Sequence, residues 1–227
     1  MTITSQSAHP DTTPVSVTRI RVAAGALGAA GLTVAALLIT TPWGDRYDSG
    51  ANEVVDYESL HAVPDGAWTA MLADGLAFAV LGISVSLIVC HLVRGHGRFA
   101  ALLGALLTTV GGILFAMGSL SFATLTRFAS GVPEDVGRPL IDHANDNPGH
   151  LLGATMVGFL LFTLGGLALA TALLRAKAVP VAGVAAYMLL VLTQFAPLPG
   201  RALDLVQIAM MALLVALAVT VLRRPTD

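Results

Sequence analysis

Six long apolar stretches recur along the chain, at about residues 20–41, 67–93, 99–126, 150–175, 180–196 and 202–222, each set off by polar or proline-containing breaks. A bilayer core about 30 Å thick takes about 20 helical residues, because each adds about 1.5 Å. Five stretches meet that length, and the fifth in order falls a little short at about 17 residues. Inside lipid every backbone N–H and C=O must be paired within its own segment, so the stretches are expected to be helices. Pro42, Pro64, Pro133, Pro139, Pro148, Pro180, Pro197 and Pro199 all fall in breaks or at helix starts, where proline is tolerated. The pattern predicts an all-α, polytopic transmembrane six-helix bundle over residues 19–227. Residues 1–18, rich in Ser, Thr and Pro, are expected to form a disordered tail. The first stretch is too long for the apolar region of a signal peptide, and no small-x-small site precedes Pro42, so it is expected to remain as an anchor.

Composition agrees with the pattern. Of 227 residues 56% are hydrophobic and only 11% charged, against about 25% in ordinary soluble domains. The mean hydropathy is +0.80 over the whole length, which excludes a soluble globular domain. A nucleic-acid partner is excluded as well, because no clustered basic surface is available. Cys90 is the single cysteine, which excludes an internal disulfide and cysteine-based zinc or iron–sulfur sites. All basic residues but Lys177 are arginine, and Ala, Leu and Val dominate the apolar set, a usage that suits a GC-rich bacterial genome.

Charge placement sets an expected orientation. With the N-terminus inside, the inner face holds Arg19, Arg21, Arg94, Arg98, Arg175, Lys177, Arg223 and Arg224, and the outer face only Arg46, Arg127, Arg138 and Arg201. The positive-inside rule then places both termini in the cytoplasm of a bacterial plasma membrane. Trp43 and Trp68 flank the first outer loop, where interfacial tryptophans are expected. The inner connections are short, so the helices they join are expected to pair as tight hairpins. The outer loops, 42–66 and 127–149, are long and acidic: Asp45, Asp48, Glu53, Asp56, Glu58 and Asp65 in one, Glu134, Asp135, Asp142 and Asp146 in the other. Acidic residues are tolerated outside in any case; a protein partner at these loops is the functional alternative.

Two carboxylates, Asp74 and Asp204, fall within spans. An acid at the centre of a membrane helix costs about 2.5–3.5 kcal/mol on insertion scales, so such residues usually face protein or water. Arg201, Asp204 and Gln207 follow one another at i, i+3 and i+6, and Gln194 approaches their level from the fifth span. These positions suggest an outward-opening polar pocket of Asp74, Gln194, Asp204 and Gln207, with Arg201 or Arg127 as counter-ion. An interfacial Arg201–Asp204 pair and a separately buried Asp74 are the structural alternative.

Among the histidines, His91 and His96 mark an inner helix end, and His61, His143 and His150 lie outside. The run from Asp142 to His150 is the densest polar cluster. Its Asn, Asp, Pro and Gly suit a capped turn into the fourth span. Asp142, His143 and His150 as ligands of a divalent metal are the chemical alternative. Haem would need axial histidines within facing helices, which the spans do not provide. No hydrolase, kinase or dinucleotide motif occurs, and no cofactor is called for. Small residues recur in the first span (Ala24, Gly25, Gly28, Gly31), the third (Gly111, Gly112, Gly118) and the fourth (Gly158, Gly165, Gly166), which predicts close helix packing within the chain. The two halves of the chain share no motif that would mark an inverted repeat.

At Gly149-His150-Leu151-Leu152-Gly153, followed by Leu173-Leu174-Arg175-Ala176-Lys177-Ala178-Val179-Pro180, the chain resembles uncharacterised multi-pass membrane proteins common in actinobacteria. There a His-Leu-Leu-Gly helix start precedes an arginine-containing inner turn and a proline-started helix. The resemblance covers about the last third of the chain. It implies a helical membrane fold and a bacterial source, and brings no activity and no site residues. From the residues alone the expected role is a non-catalytic accessory component that contacts the lipid bilayer and a protein partner through its outer loops. The rival readings are a proton- or cation-coupled solute carrier using Asp74 and Asp204, and an outer-face enzyme using Asp142, His143 and His150.

Overall fold

A computed structural model of the chain describes residues 14–40, 55–61 and 63–223. Within them eight helices follow in order: α1 (Pro14–Thr40), α2 (Tyr57–His61), α3 (Asp65–Leu92), α4 (Arg98–Gly131), α5 (Glu134–Asp146), α6 (Pro148–Ala176), α7 (Val181–Thr193) and α8 (Gly200–Leu222). Five of them, α1, α3, α4, α6 and α8, are long and apolar enough to cross a membrane. The protein is a polytopic helical bundle. The short α2 and α5 lie at one end, the cap face, together with the α7–α8 connection; the other end, the turn face, carries the α3–α4 and α6–α7 turns.

The fifth expected span is shorter than its apolar run. α7 has 13 residues, hence a length of about 20 Å, and does not reach across a 30 Å core by itself. Pro180 caps its start and Gln194 its end; Phe195–Pro199 then continue without helix. The expected tail is also trimmed, because α1 begins at Pro14; residues 1–13 lie outside the described residues. The second outer loop is the largest departure. Residues 127–131 extend α4, and 134–146 form the amphipathic helix α5, which buries Gly137, Ile141 and Ala144. Pro139 lies inside this helix rather than in a loop. It removes the bond its N–H would give to the Asp135 carbonyl, a loss near the first turn of an exposed helix.

Tight turns set the register on the turn face. Gly97 opens α4 with φ 95°, and a Cβ there would sit 3.1 Å from the Ala172 carbonyl of α6. Lys177 closes α6 in the left-handed conformation at φ 50°, and the Ala178 N–H returns to the Leu173 carbonyl at 3.2 Å.

The packing is graded around the bundle. α4 lies along both α6 and α3, and α1 along both α3 and α8. The closest approach is between α4 and α6. A Cβ on Gly104 would come 2.8 Å from the Leu169 amide nitrogen, and on Gly111, Gly118, Gly158 or Gly165 it would collide with the opposite helix's backbone. Thr155 Oγ1 occupies the space a Gly118 side chain would need, and Thr108 Oγ1 does the same at Gly165. On α3, a Cβ at Gly82 would come 2.6 Å from the Thr108 carbonyl oxygen, so Thr108 is held between α3 and α6. Such small-residue contacts bring backbones together where lipid supplies no hydrophobic drive between helices. Large apolar side chains point outward instead: Leu76, Leu87, Leu102, Leu106, Met117, Leu160, Leu164 and Leu205 are exposed on the flanks. α6 and α8 have no extensive contact with each other, and α7 bridges them.

The cap has its own core of Val55, Tyr57, Leu60, Trp68, Met71, Ala123, Ala129 and Ile141. Trp68 is therefore buried in the cap rather than placed at an interface facing lipid, and Trp43 lies outside the described residues. Asn145 of α5 fastens the segment before α2 by accepting from the Val55 N–H at 3.0 Å and donating to the Val55 carbonyl at 2.8 Å. Asp56 caps α2 through the Ser59 hydroxyl at 2.6 Å and the Glu58 and Ser59 amides, and the Ser59 hydroxyl is the main reason its pKa falls below 3.8. Arg138 lies 4.9 Å from the Tyr57 ring centroid and pairs with Glu58 and, at 2.8 Å, with Glu134; these two carboxylates raise its pKa.

The glycine interface gives a direct expectation for the fold. Gly111→Leu forces α4 off α6 and costs about 1–3 kcal/mol or more, lowering Tm by several degrees. Gly25, with no heavy atom within 4 Å of a would-be Cβ, accepts Leu with Tm unchanged. Thermal unfolding of the two variants in one detergent checks this; equal losses would contradict the packing account.

Candidate functional site: a polar cavity between the loosely packed helices

Where α6 and α8 part, the interior holds a cavity of about 350 Å³ on the cap side. α3 contributes Asp74 and Phe78, α4 contributes Phe115, and α6 contributes Phe159, Phe162 and Thr163. α7 adds Tyr187 and Val191, its C-cap adds Gln194, and α8 adds Asp204 and Gln207 among others. Asp74, far away in sequence, thus meets Gln194, Asp204 and Gln207 at one space. Asp204 is 8% exposed, a depth at which a carboxylate is rare unless it has a role or a partner. Asp74 is half-buried and makes no hydrogen bond or ion pair among the described residues. The Gln194 Nε2 lies against Met210 Sδ at the wall.

Arg201 does not join the lining. It sits at the second position of α8 and is exposed. The geometry explains the difference: a step of three residues turns the helix by about 300°, so positions i and i+6 stand about 120° apart rather than on one face. Asp204 and Gln207 reach the cavity, and Arg201 lies to one side. Arg127 lines a separate cleft on the cap side with Trp68, Thr69 and Leu72. Among the described residues no Lys, Arg or His lines the cavity.

The Asp142–His150 run is arranged differently from the cavity. Asp142 and His143 are neighbours on α5, about 100° apart around its axis, and both are exposed. His150 follows in the first turn of α6, after Pro148. The Asn147 side chain donates to the His143 carbonyl at 3.0 Å, so the run closes one helix and starts the next. Among the described residues no three His, Cys, Asp or Glu side chains gather into a metal-binding group.

The aromatic part of the site escapes a reading based on polar residues. Four of the chain's 8 phenylalanines line this one cavity. Phe78 stacks against Phe115 at 4.5 Å between centroids and meets Phe162 at 5.5 Å. One signal was present: Phe78 follows Asp74 by four residues and so shares its helix face. A second cavity of about 210 Å³ lies deeper, toward the turn face. It is lined by aliphatic residues of α3, α6, α7 and α8, and it shares Phe162, Tyr187 and Leu214 with the first.

Compared with known protein families, with curated proteins and with solved structures, the chain matches none.

Asp74 supplies the test of whether this site is built for stability. A half-buried carboxylate that makes no hydrogen bond among the described residues is more costly than a neutral amide of the same shape. Asp74→Asn is therefore expected to raise Tm by about 2 °C or more, near the shift for 1 kcal/mol in a chain of this size. A lower Tm would mean that Asp74 holds the fold together.

Proposed function

We propose that this chain is a multi-pass protein of a bacterial plasma membrane, with both termini cytoplasmic, that binds and carries a small cationic solute through its cap-side cavity. The observation that carries this reading is the convergence of Asp74, Gln194, Asp204 and Gln207, from three helices, on one cavity whose lining contains no basic side chain among the described residues. Placing two acids in a bundle interior is expensive, and such residues commonly mark ion or substrate pathways. In this reading the carboxylates attract the cation, and the two carboxamides supply both donors and acceptors for its polar groups. The cap then faces the outside, and the arginines at the turn face lie in the cytoplasm.

The sequence by itself favours an accessory role, because two acids are a thin polar inventory for a carrier. Their gathering around one cavity is what moves our reading to solute binding. Interaction with a protein through the cap is a second reading, favoured by α5, which exposes Glu134, Asp135, Asp142 and Asp146. The resemblance to actinobacterial membrane proteins supports the proposed source and adds no activity.

Uptake of radiolabelled tetramethylammonium into proteoliposomes tests the leading reading. The wild-type chain is expected to exceed empty liposomes. Asp74→Asn and Asp204→Asn are each expected to lose at least 90% of that excess while keeping a cooperative thermal transition. A wild-type rate equal to that of empty liposomes, or full rates in both variants, would overturn it.

A further inference from the structure

The two cavities share a wall, and their linings differ in kind. The outer one combines two carboxylates with the rings of Phe78, Phe115 and Phe162. Aromatic surfaces attract cations, most effectively those that shed water easily, such as alkylated ammonium groups. A strongly hydrated metal ion instead demands a cage of several oxygen ligands, and no group of three acidic, His or Cys side chains occurs among the described residues. The head that suits this cavity is an organic ammonium.

The inner cavity is aliphatic, with Val85, Val89, Leu169, Leu173 and Leu217 among its walls. Tyr187 stands at the boundary, and its hydroxyl reaches over Gly166, where a Cβ would lie 2.8 Å away. From Asp204 to Leu217 the rise along α8 is about 20 Å, so the two spaces together run through much of the bundle. We propose that the site takes an organic ammonium bearing an aliphatic tail, the ammonium held between Asp74 and Asp204 and the tail passing Tyr187 into the inner cavity. This rests on the cation reading of the outer cavity and adds the class of solute. The occupant is a singly charged cationic amphiphile rather than a zwitterionic lipid, because a headgroup phosphate would bring negative charge to a lining with two carboxylates and no basic side chain among the described residues.

Gly183 separates head from tail experimentally. It lines the inner cavity and not the outer one, is exposed where that cavity opens to the surface, and has no heavy atom within 4 Å of a would-be Cβ, so Gly183→Phe obstructs the tail space at its mouth and leaves the acids untouched. The experiment measures binding of tetramethylammonium, butyltrimethylammonium and octyltrimethylammonium to the full chain at a fixed concentration of an uncharged detergent. In the wild type each added methylene is expected to strengthen binding about two- to fourfold. In Gly183→Phe, tetramethylammonium should bind within about twofold of wild type, and the gain from methyl to octyl should fall below about fivefold. Ala216→Phe, on the α8 side of the same cavity, repeats the test should Gly183→Phe fail to fold. Octylphosphocholine is expected to bind at least tenfold more weakly than octyltrimethylammonium. Three outcomes would overturn the tail assignment while leaving the cation site standing: no dependence on chain length, the same dependence in wild type and the filled variants, or equal binding of the phosphocholine. Failure of every member to bind, tetramethylammonium included, would overturn both.

Discussion

The close approach of α4 to α6 governs the rest of this structure. Gly104, Gly111 and Gly118 on one helix meet Gly158 and Gly165 on the other, so closely that almost any side chain at these positions would enter the opposite backbone. In a bilayer the apolar faces gain little by leaving lipid for protein, and close backbone packing becomes the main reason for two helices to stay together. The chain gathers its small residues here and turns its large ones outward. α3 then docks through Gly82 and Gly112, and α1 and α8 follow against α3 and each other. Nothing comparable joins α6 to α8. That side is left to α7, whose 13 helical residues are too few to span alone, so that the chain completes its return to the cap face through Phe195–Pro199, and which exposes Val181, Leu189 and Leu192.

The opening between α6 and α8 is where the chain keeps its intramembrane polar groups. Acids inside a bundle face its interior or a water-filled cavity, or pair with polar groups there. Asp74 faces this space from a tightly packed helix, and Asp204 and Gln207 face it from the looser side. The tight interface thus forms one wall of the cavity, and the short helix forms the other.

Much of this was legible in the sequence. The long helices followed from apolar runs and prolines, because lipid leaves a buried backbone almost no other conformation. Asp74 and Asp204 read from the sequence as lying at different depths in the outer half of their spans, and one cavity lining contains both together with Gln194 and Gln207. The i, i+3, i+6 spacing that grouped Arg201 with Asp204 and Gln207 spreads over about 120° of the helix, so Arg201 lies beside the cavity. α5 was hidden by Pro139 and by a composition rich in turn formers, although Gly137, Ile141 and Ala144 repeat at a helical spacing. Trp68 carries the same signal at an interface as in a small core, and only Tyr57 and Ile141 packing around it decide between them. The aromatic wall depends on contacts between α3, α4 and α6 that no single segment reveals.

In the carrier proposed above, water and cations reach Asp74 and Asp204 through the cap side of the bundle. Reaction rates of a single cysteine on the cavity wall test it most directly. With Cys90 replaced by Ala and Thr163 by Cys, a quaternary-ammonium methanethiosulfonate is compared with its sulfonate analogue, each added from the outside of intact cells. The account predicts that the cationic reagent reacts at least tenfold faster, and that Asp74→Asn together with Asp204→Asn removes most of the difference. Equal rates for the two reagents, or no reaction with either, would contradict it.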